Sequence, residues 1–235
     1  MSLMSLKARL LQIMEDGTKR LQINKLGYKI SPKSPSNMFD EVLLDKIYDI
    51  EGFTPKSNDV VLDIGAWYGD SAIWWAKTFN AKVVAFEPLE DVYKEMLKNI
   101  ILNKVSKQVS AVNSAIGSLI LGEINQSHML KIPTNPLVEY FPSKNLGAFS
   151  FDRVDLIKID VEGFEMDVLV SAIETIKKFK PKIIIETHSK ELRERCETFL
   201  HYLGYELQFE GNKRISGEEG FDEVANLFLE YRGVE

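Results

Sequence analysis

A single cysteine, Cys196, occurs among the 235 residues of the chain. This scarcity excludes an intramolecular disulfide framework and a metal cluster held by cysteine thiolates, and it is typical of a reducing compartment, so we expect a cytoplasmic location. No apolar run approaches the roughly 18 residues of a membrane-spanning helix. Lys7 and Arg9 interrupt the apolar stretch that a secretory signal would need. We therefore expect neither a membrane span nor a signal peptide.

The chain has a small net charge, −6, and that charge is unevenly divided. Residues 1–35 contain seven lysines and arginines against two acidic residues, a net charge of +5, so the remaining residues carry −11. A basic arm on an acidic body indicates an anionic partner, or else a solvated helix face. The composition, 45% hydrophobic and 27% charged, is typical of a globular protein and excludes a disordered or fibrous chain.

Residues 1–50 form a candidate helical extension ahead of the main domain, which we place at 51–235. Apolar side chains at helical spacing, among them Leu6, Leu10, Ile13 and Met14, predict an amphipathic helix over 4–23 that Gly17 divides. Prolines, glycine and serines then predict a connector over 27–37. A short helix is expected from Phe39 to Tyr48.

From Val60 onward, short apolar strands alternate with helices of period 3.6. The strand candidates are Val60–Ile64, Lys82–Phe86, Val109–Ala115, Asp155–Ile159 and Lys182–Ile185, with helices near 70–79, 90–103, 164–178 and 190–203. Such alternation predicts a Rossmann-like α/β fold with a parallel sheet covered on both faces. Residues 116–150 break the pattern, with a hairpin candidate at 119–131. Two last strands, Tyr205–Phe209 and Ala225–Tyr231, have no helix between them and predict a C-terminal antiparallel hairpin.

The loop after the first strand has the pattern of a ligand site at a helix N-terminus. Two glycines four residues apart follow a buried strand, and a helix begins at once. The pattern D-x-G-x-x-x-G differs from the G-x-G-x-x-G of dinucleotide-binding loops, and an acid at the strand end disfavours a pyrophosphate while suiting an ammonium group. The candidate contacts are Asp63, Gly65, Ala66, Trp67, Gly69 and Ser71.

The ends of the next two strands supply further candidates for a nucleoside ligand. Glu87 lies 22 residues after Gly65, at a strand end where an acid commonly binds ribose hydroxyls, and Pro88 follows it. Asn113 and Ser114 end the third strand, where an amide and a hydroxyl could hydrogen-bond a nucleobase, although both are also common turn residues.

Four segments together resemble the FkbM family of methyltransferases over about residues 45–205. They are Asp63–Asp70, Ala85–Pro88, Lys158–Glu165 and Ile184–His188, of which Lys-Ile-Asp-Val-Glu-Gly-x-Glu is the most specific. Trp67 stands where that family typically has asparagine. The resemblance implies a seven-stranded methyltransferase sheet, S-adenosylmethionine as cofactor, and O-methylation of hydroxyls on sugars or secondary metabolites.

Candidate catalytic groups gather at the carboxyl ends of the strands, where ligands of open α/β sheets bind. They are Asp160, Glu162, Glu186 and His188. Asp160 directly follows the fourth strand, so we expect it nearest the methyl donor and count it among the cofactor contacts. His188 is the first choice for the general base because an imidazole titrates near neutral pH; alternatively it caps the helix that starts near Ser189. Glu165 is expected to have a structural role.

The three acids Asp160, Glu162 and Glu186 could also bind Mg²⁺ and so acidify an acceptor hydroxyl. Their spacing is not diagnostic, and we do not predict a metal site.

The sequence is compatible with three functions. The first is O-methylation of a small molecule or glycan, with the acceptor pocket formed by residues 116–150 and the first 50 residues. The second is RNA methylation through the basic arm, against which the acidity of the remaining chain argues. The third is a non-catalytic protein that binds S-adenosylmethionine.

Overall fold

The computed structural model describes residues 3–117, 123–125, 138–140, 143–212 and 224–233. Its helices are α1 (Leu3–Lys25), α2 (Asp70–Phe79), α3 (Glu90–Leu102), α4 (Glu165–Ser171), α5 (Ile173–Phe179) and α6 (Lys190–Tyr202), with a π-helical turn at Asp40–Leu44 and a 3₁₀ turn at Leu146–Ala148. Its strands are β1 (Val60–Ile64), β2 (Lys82–Phe86), β3 (Val109–Val112), β4 (Ala115–Ile116), β5 (Glu123–Asn125), β6 (Val138–Tyr140), β7 (Ser143–Lys144), β8 (Leu156–Ile159), β9 (Lys182–Thr187), β10 (Tyr205–Asn212) and β11 (Ala225–Tyr231).

Seven strands form the central sheet in the order β10-β11-β9-β8-β1-β2-β3. The five strands from β3 to β9 in this order are parallel, while β11 is antiparallel to both β9 and β10. The predicted Rossmann-like fold and its C-terminal antiparallel hairpin are therefore confirmed. Strand order reverses between β1 and β8, which places a crevice at the carboxyl ends of these two strands.

The segment after β3 differs from the prediction. The third strand ends at Val112 instead of Ala115, because the chain turns away from the sheet and Ala115–Ile116 pairs with Ser143–Lys144. Asn113 and Ser114 consequently lie beyond the sheet edge. The hairpin predicted within 119–131 falls largely outside the described residues, and its described part, Glu123–Asn125, pairs instead with Val138–Tyr140. The helix predicted over 164–178 is divided into two at Ala172.

The alternation of side chains along each strand produces two apolar layers. Val61 and Val83 face the layer that α2, α3 and the N-terminal extension cover, whereas Leu62 and Ile157 face the layer that α4, α5 and α6 cover. All four residues of β8 are buried, including one charged residue, Lys158. A lysine inside an otherwise apolar strand needs a compensating partner, and the site described below contains it.

The N-terminal extension shares its core with the sheet. Helix α1 continues through Gly17, so the predicted division of that helix is wrong, and the predicted helix over 39–48 is only the short π-helical turn. The predicted apolar stripe places Met14 inward, but 69% of this residue is exposed. Among the side chains that the structure describes in the extension, Ile23, Tyr28 and Phe39 are buried in the core. The extension thus packs as part of the domain wall.

In the described part of the chain, no helix combines the length and the apolar character that crossing a bilayer demands.

Two substitutions on α1 test this packing. Ile23→Ala should lower the free energy of unfolding by about 2–5 kcal/mol, because its side chain is 1% exposed and would leave a cavity in the core. Met14→Ala, on the same helix, should change it by less than about 0.5 kcal/mol. Urea denaturation measures both values. Equal effects of the two substitutions would contradict the packing of the extension against the sheet.

Candidate active site

A cavity of about 1050 Å³ opens at the carboxyl edge of the sheet, beside the reversal in strand order. This volume suits a nucleoside cofactor together with a small acceptor. The predicted site residues that line it are Gly65, Trp67, Ser71, Glu87, Pro88, Ser114, Asp160, Glu162 and Glu186. Five other predicted residues do not line the cavity and lie behind its lining residues: Asp63, Ala66, Gly69, Asn113 and His188.

The glycine loop brings β1 into contact with the segment after β8. Gly65 has a φ of +81°, and a Cβ atom at this position would lie 1.8 Å from the carbonyl oxygen of Asp160. The amides of Gly65 and Ala66 both donate to the carbonyl of Phe86, at 3.1 and 2.9 Å. Only glycine permits this approach, so the loop is tied to both neighbouring strand ends.

Gly69 precedes α2 and allows that helix to pack closely on α3. Its φ is +87°, and a Cβ atom there would lie 3.0 Å from the side chain of Met96. The helix that follows begins at Asp70 and points its N-terminus toward the cavity edge. Free backbone amides at such an N-terminus suit the carboxylate of a ligand.

A buried ionic cluster lies beneath this loop. Asp63 and Lys158 are direct neighbours in the parallel register of β1 and β8, and their Oδ1 and Nζ atoms are 3.2 Å apart. Lys158 also donates to the carbonyl of Gly65 at 2.7 Å and lies 3.5 Å from Asp160, while Asp63 accepts a 2.6 Å hydrogen bond from Ser71. Asp63 is fully buried, so its expected contact with a ligand ammonium is replaced by contacts that hold the loop in place.

The charges in this cluster stabilise one another. Burial alone would lower the pKa of Lys158, but the carboxylates of Asp63 and Asp160 raise it above its usual value. Burial raises the pKa of Asp63, an effect that Lys158 and Ser71 oppose. Lys158 is therefore a permanent cation at the floor of the site.

Glu87 directly follows β2 and lines the cavity. Its Oε2 atom accepts from the amide of Trp67 at 3.0 Å and its Oε1 atom from the amide of Leu89 at 2.8 Å. Burial raises its pKa to about 7, and these two amides oppose the shift. Each carboxylate oxygen has a second lone pair, which allows it to accept from a ligand hydroxyl as well.

Trp67 adopts a backbone conformation that bulky residues rarely take. Its φ is +47°, in the left-handed region, and its ring packs edge-on against Tyr68 with centroids 4.9 Å apart. Both rings line the cavity. Such strain costs about 1–3 kcal/mol and persists where the surroundings fix it, here through the amide bond to Glu87.

The two residues predicted beside a nucleobase have different positions. The side-chain amide of Asn113 donates to the carbonyls of Glu87 and Pro88, at 2.8 and 3.0 Å, so this residue fixes the loop after β2 instead of facing the cavity. Ser114 does line the cavity. The turn interpretation of Asn113 is therefore the one that its contacts favour.

His188 lies among four carboxylates. Its Nδ1 atom is 2.8 Å from Glu165, and its Nε2 atom is 3.3 Å from Glu162, 3.5 Å from Glu186 and 3.8 Å from Asp160. Burial would lower its pKa, but hydrogen bonds to Glu165 and Glu186 and the nearby charges raise it to about 11. The ring is consequently an imidazolium at neutral pH, which argues against the predicted role of general base.

The alternative role predicted for His188, capping the helix that follows, is performed by Ser189. Ser189 is the N-cap of α6, and its hydroxyl accepts from the amide of Leu192 at 3.2 Å. Glu165 is completely buried and accepts both from His188 and from the amide of Gly163. These contacts agree with the structural role expected for Glu165.

The same groups are those that could bind a divalent cation. Asp160, Glu186 and His188 each place a potential ligand atom within 4.8 Å of the other two. Carboxylate oxygens suit Mg²⁺, as the sequence suggested for Asp160, Glu162 and Glu186. In this geometry the imidazolium of His188 already supplies a positive charge among the carboxylates.

Three residues of the site escaped the sequence-based prediction. Lys158 belongs to the most specific motif, and a lysine inside an apolar strand indicates by itself that a buried partner of opposite charge is needed. Asp70 lines the cavity at the start of α2, and burial raises its pKa to about 7. Tyr48 reaches the cavity from the N-terminal extension, close enough to Asp160 and Glu186 that their charges add to the effect of burial in raising its pKa. No local pattern marked Tyr48.

Comparison with known proteins finds matches among methyltransferases. A family model described as the methyltransferase FkbM domain matches residues 63–207. The methyltransferase sdnD of Sordaria araneosa is 25% identical over 224 residues, which cover 77% of this chain and 85% of sdnD.

Solved structures with low sequence identity share the fold. The methyltransferase FkbM of Methylobacillus flagellatus superposes with a TM-score of 0.56 at 16% identity, covering 75% of this chain but 45% of that one. Sp1610 of Streptococcus pneumoniae, a candidate tRNA (m1A22) methyltransferase in complex with S-adenosyl-L-methionine, gives 0.51 at 16% identity, with coverage of 77% and 69%. These likenesses concern the fold alone.

Two glycines in this region allow a matched test of close approach. Gly65→Ala should lower the free energy of unfolding by about 3 kcal/mol or more, because left-handed strain and a clash with the Asp160 carbonyl act together. Gly163→Ala should cost only about 1–2 kcal/mol, since its φ is +105° but its Cβ would have free space. Urea denaturation compares them. A cost for Gly65→Ala no larger than that for Gly163→Ala would refute the contact.

The charge state of His188 predicts a dependence of stability on pH. The folded chain keeps a proton on this ring up to about pH 11, whereas the unfolded chain loses it near 6.5, so this contribution to stability is complete below pH 6.5 and declines as the pH rises toward 11. The decline is at most about 1.4 kcal/mol per pH unit. Urea denaturation at pH 7, 8, 9 and 10 should show a smaller decline for His188→Gln than for the wild type. Parallel curves would show that His188 is not protonated.

Proposed function

The chain belongs to the FkbM family of S-adenosylmethionine-dependent methyltransferases, and from that premise we propose that it methylates a hydroxyl group of a small acceptor such as a sugar or a secondary metabolite. One observation carries the proposal: a single cavity joins the glycine loop and Glu87 to a rim of carboxylates formed by Asp160, Glu162 and Glu186. The first group suits the cofactor, and the second suits an acceptor that must lose a proton.

The residues present fit S-adenosylmethionine. Gly65 lines the cavity in a conformation that brings it against the Asp160 carbonyl, and Glu87 lines the cavity directly after β2, where ribose hydroxyls would donate to a carboxylate. The N-terminus of α2 suits the carboxylate of the methionine part, and Pro88 and Ser114 line the cavity where they would contact the nucleobase. Four further residues lie outside the lining and hold the lining residues in place: Asp63, Ala66, Gly69 and Asn113.

When bound, the cofactor supplies an electrophilic methyl group on a sulfonium. A hydroxyl that accepts this methyl group would have to lose its proton to a base supplied by the protein. We assign that base to Asp160, because its backbone carbonyl lies against Gly65 and its side chain lines the cavity. Lys158 and His188 lie 3.5 and 3.8 Å from its carboxylate oxygens. Glu162 and Glu186 then orient the acceptor.

The charge of the cavity supports a small acceptor over RNA. Nine acidic side chains and two lysines line it among the described residues. The five lysines and arginines whose side chains are not described are too few to reverse this excess. The basic arm also uses two of its charges internally: Lys19 pairs with Asp40, and Arg20 donates to the carbonyls of Ile30, Ser31 and Ser34.

RNA remains the second candidate acceptor, because Sp1610, one structural neighbour, is a candidate tRNA methyltransferase and because the arm is basic in sequence. A purely cofactor-binding protein would need neither the carboxylate rim nor its two neighbouring cations, so this alternative explains less of the site.

The matched variants Glu87→Gln and Asp160→Asn separate cofactor binding from catalysis. Glu87→Gln should weaken binding of S-adenosylhomocysteine by about 10–100-fold, whereas Asp160→Asn should change it less than about threefold and lower methyl transfer by about 10²–10⁴-fold. Calorimetry measures the first quantity. Transfer of labelled methyl to a panel of sugars, hydroxylated metabolites and tRNA measures the second.

Absence of S-adenosylhomocysteine binding by the wild type would contradict the cofactor site. Labelling of tRNA alone would move the acceptor assignment to RNA, and full activity of Asp160→Asn would remove Asp160 as the base.

A further inference from the structure

One face of α3 binds the connector that leads from α1 to the cavity wall. Glu95, Asn99 and Asn103 are four residues apart, so they project from the same side of the helix, and all three are buried. Asn103 accepts from the amide of Lys29 at 2.9 Å and donates to its carbonyl at 2.8 Å. Glu95 accepts from the hydroxyl of Ser31 at 2.6 Å. These side chains hold the connector in place.

Asn99 differs from the other two because it also binds the glycine loop that joins β1 to α2, residues 65–69, which we call the cofactor loop. Its Oδ1 atom accepts from the amide of Ser31 at 2.8 Å, and its Nδ2 atom donates to the hydroxyl of Ser34 at 2.9 Å. The same Nδ2 atom donates to the carbonyl of Tyr68 at 3.0 Å. Asn99 is completely buried, so one carboxamide joins two separate segments of the chain.

The two segments that Asn99 joins both lead to residues that line the cavity. Tyr68 and the adjacent Trp67 line it from the cofactor loop, and the amide of Trp67 binds Glu87. The connector continues from Ser34 to Met38 and Asp40, which line the cavity from the N-terminal extension. The side chain of Met38 is itself in contact with Asn99, at 3.5 Å from Nδ2.

Both hydrogens of the Asn99 amide are used, one toward the connector and one toward the loop. A shift of the Tyr68 carbonyl therefore either moves the amide and the connector with it or leaves this donor with only the weak acceptor Met38 Sδ nearby, at a cost of about 1–3 kcal/mol. The amide cannot rotate to relieve the loss, because its oxygen is bound to Ser31.

We propose that Asn99 is a positioning residue that couples cofactor binding to the wall formed by residues 38–48. Ligand contacts with the Trp67–Tyr68 loop fix the Tyr68 carbonyl, and Asn99 transmits this constraint through Ser31 and Ser34 to the wall against which the acceptor binds. The inference rests on the proposed function only in assuming that S-adenosylhomocysteine binds at the glycine loop.

The experiment compares Asn99→Ala with Asn103→Ala, a matched control that loosens the same connector without touching the cofactor loop. Hydrogen–deuterium exchange of residues 38–48 is followed with and without S-adenosylhomocysteine, and calorimetry gives its dissociation constant. In the wild type and in Asn103→Ala, the ligand should slow exchange in this segment. In Asn99→Ala that ligand-dependent change should disappear, and the dissociation constant should rise about fivefold.

The outcomes separate this inference from the assignment of the cofactor site. Failure of the wild type to bind S-adenosylhomocysteine would refute the cofactor site. Binding without any change in exchange at 38–48 would refute the coupling alone, and so would an identical loss of the change in Asn99→Ala and Asn103→Ala, since that result describes general loosening.

A second variant keeps the test decisive should Asn99→Ala not fold. Ser34→Ala removes one connector bond and keeps the bond between Asn99 and Tyr68. It should leave the dissociation constant within about twofold and reduce the ligand-dependent change in exchange. An unchanged exchange response in this variant would also overturn the coupling.

Discussion

The ion pair between Asp63 and Lys158 is the interaction on which the rest of the site depends. It joins adjacent positions of β1 and β8, the two strands between which the sheet reverses its order. Two buried charges are costly to desolvate, and the cost is offset only when their remaining hydrogen-bonding capacity is used. Here Ser71 binds the carboxylate, and the Gly65 carbonyl accepts from the ammonium. The glycine loop and the start of α2 are thereby fixed to the sheet.

The carboxylate rim depends on the same arrangement of charge. Asp160 lies between Lys158 and His188, and His188 in turn gathers Glu162 and Glu186. Two cations thus hold several carboxylates that would otherwise repel one another at the edge of the sheet. The N-terminal extension completes the enclosure by adding Tyr48 and Met38 to the cavity lining. The cofactor loop, the carboxylate rim and the N-terminal extension therefore line one cavity at the edge of the sheet.

Features of the fold and the site that depend on residues close in sequence could be predicted from the sequence. Features that depend on contacts between distant segments could not. The strands could be predicted because each is a short apolar run, and the positions of Gly65 and Glu87 after two of these strands predicted their place at the cavity that they line. The pairing of Asp63 with Lys158 depends on strand register, and the surroundings of His188 depend on bringing β9 against the loop after β8. Asn113 was misplaced because the third strand ends three residues early and turns its amide toward the backbone.

The way in which α3 holds the connector has a consequence for which of its side chains can vary. Asn103 recognises the amide and the carbonyl of Lys29, and Asn99 recognises the amide of Ser31, so these contacts involve backbone atoms that every residue type except proline provides. The side chain of Lys29 can therefore vary while the path of the connector is preserved, whereas Ser31 and Ser34 are also bound through their hydroxyls. Substitutions of that kind change the surface of the connector without moving the path that it follows to the cavity wall.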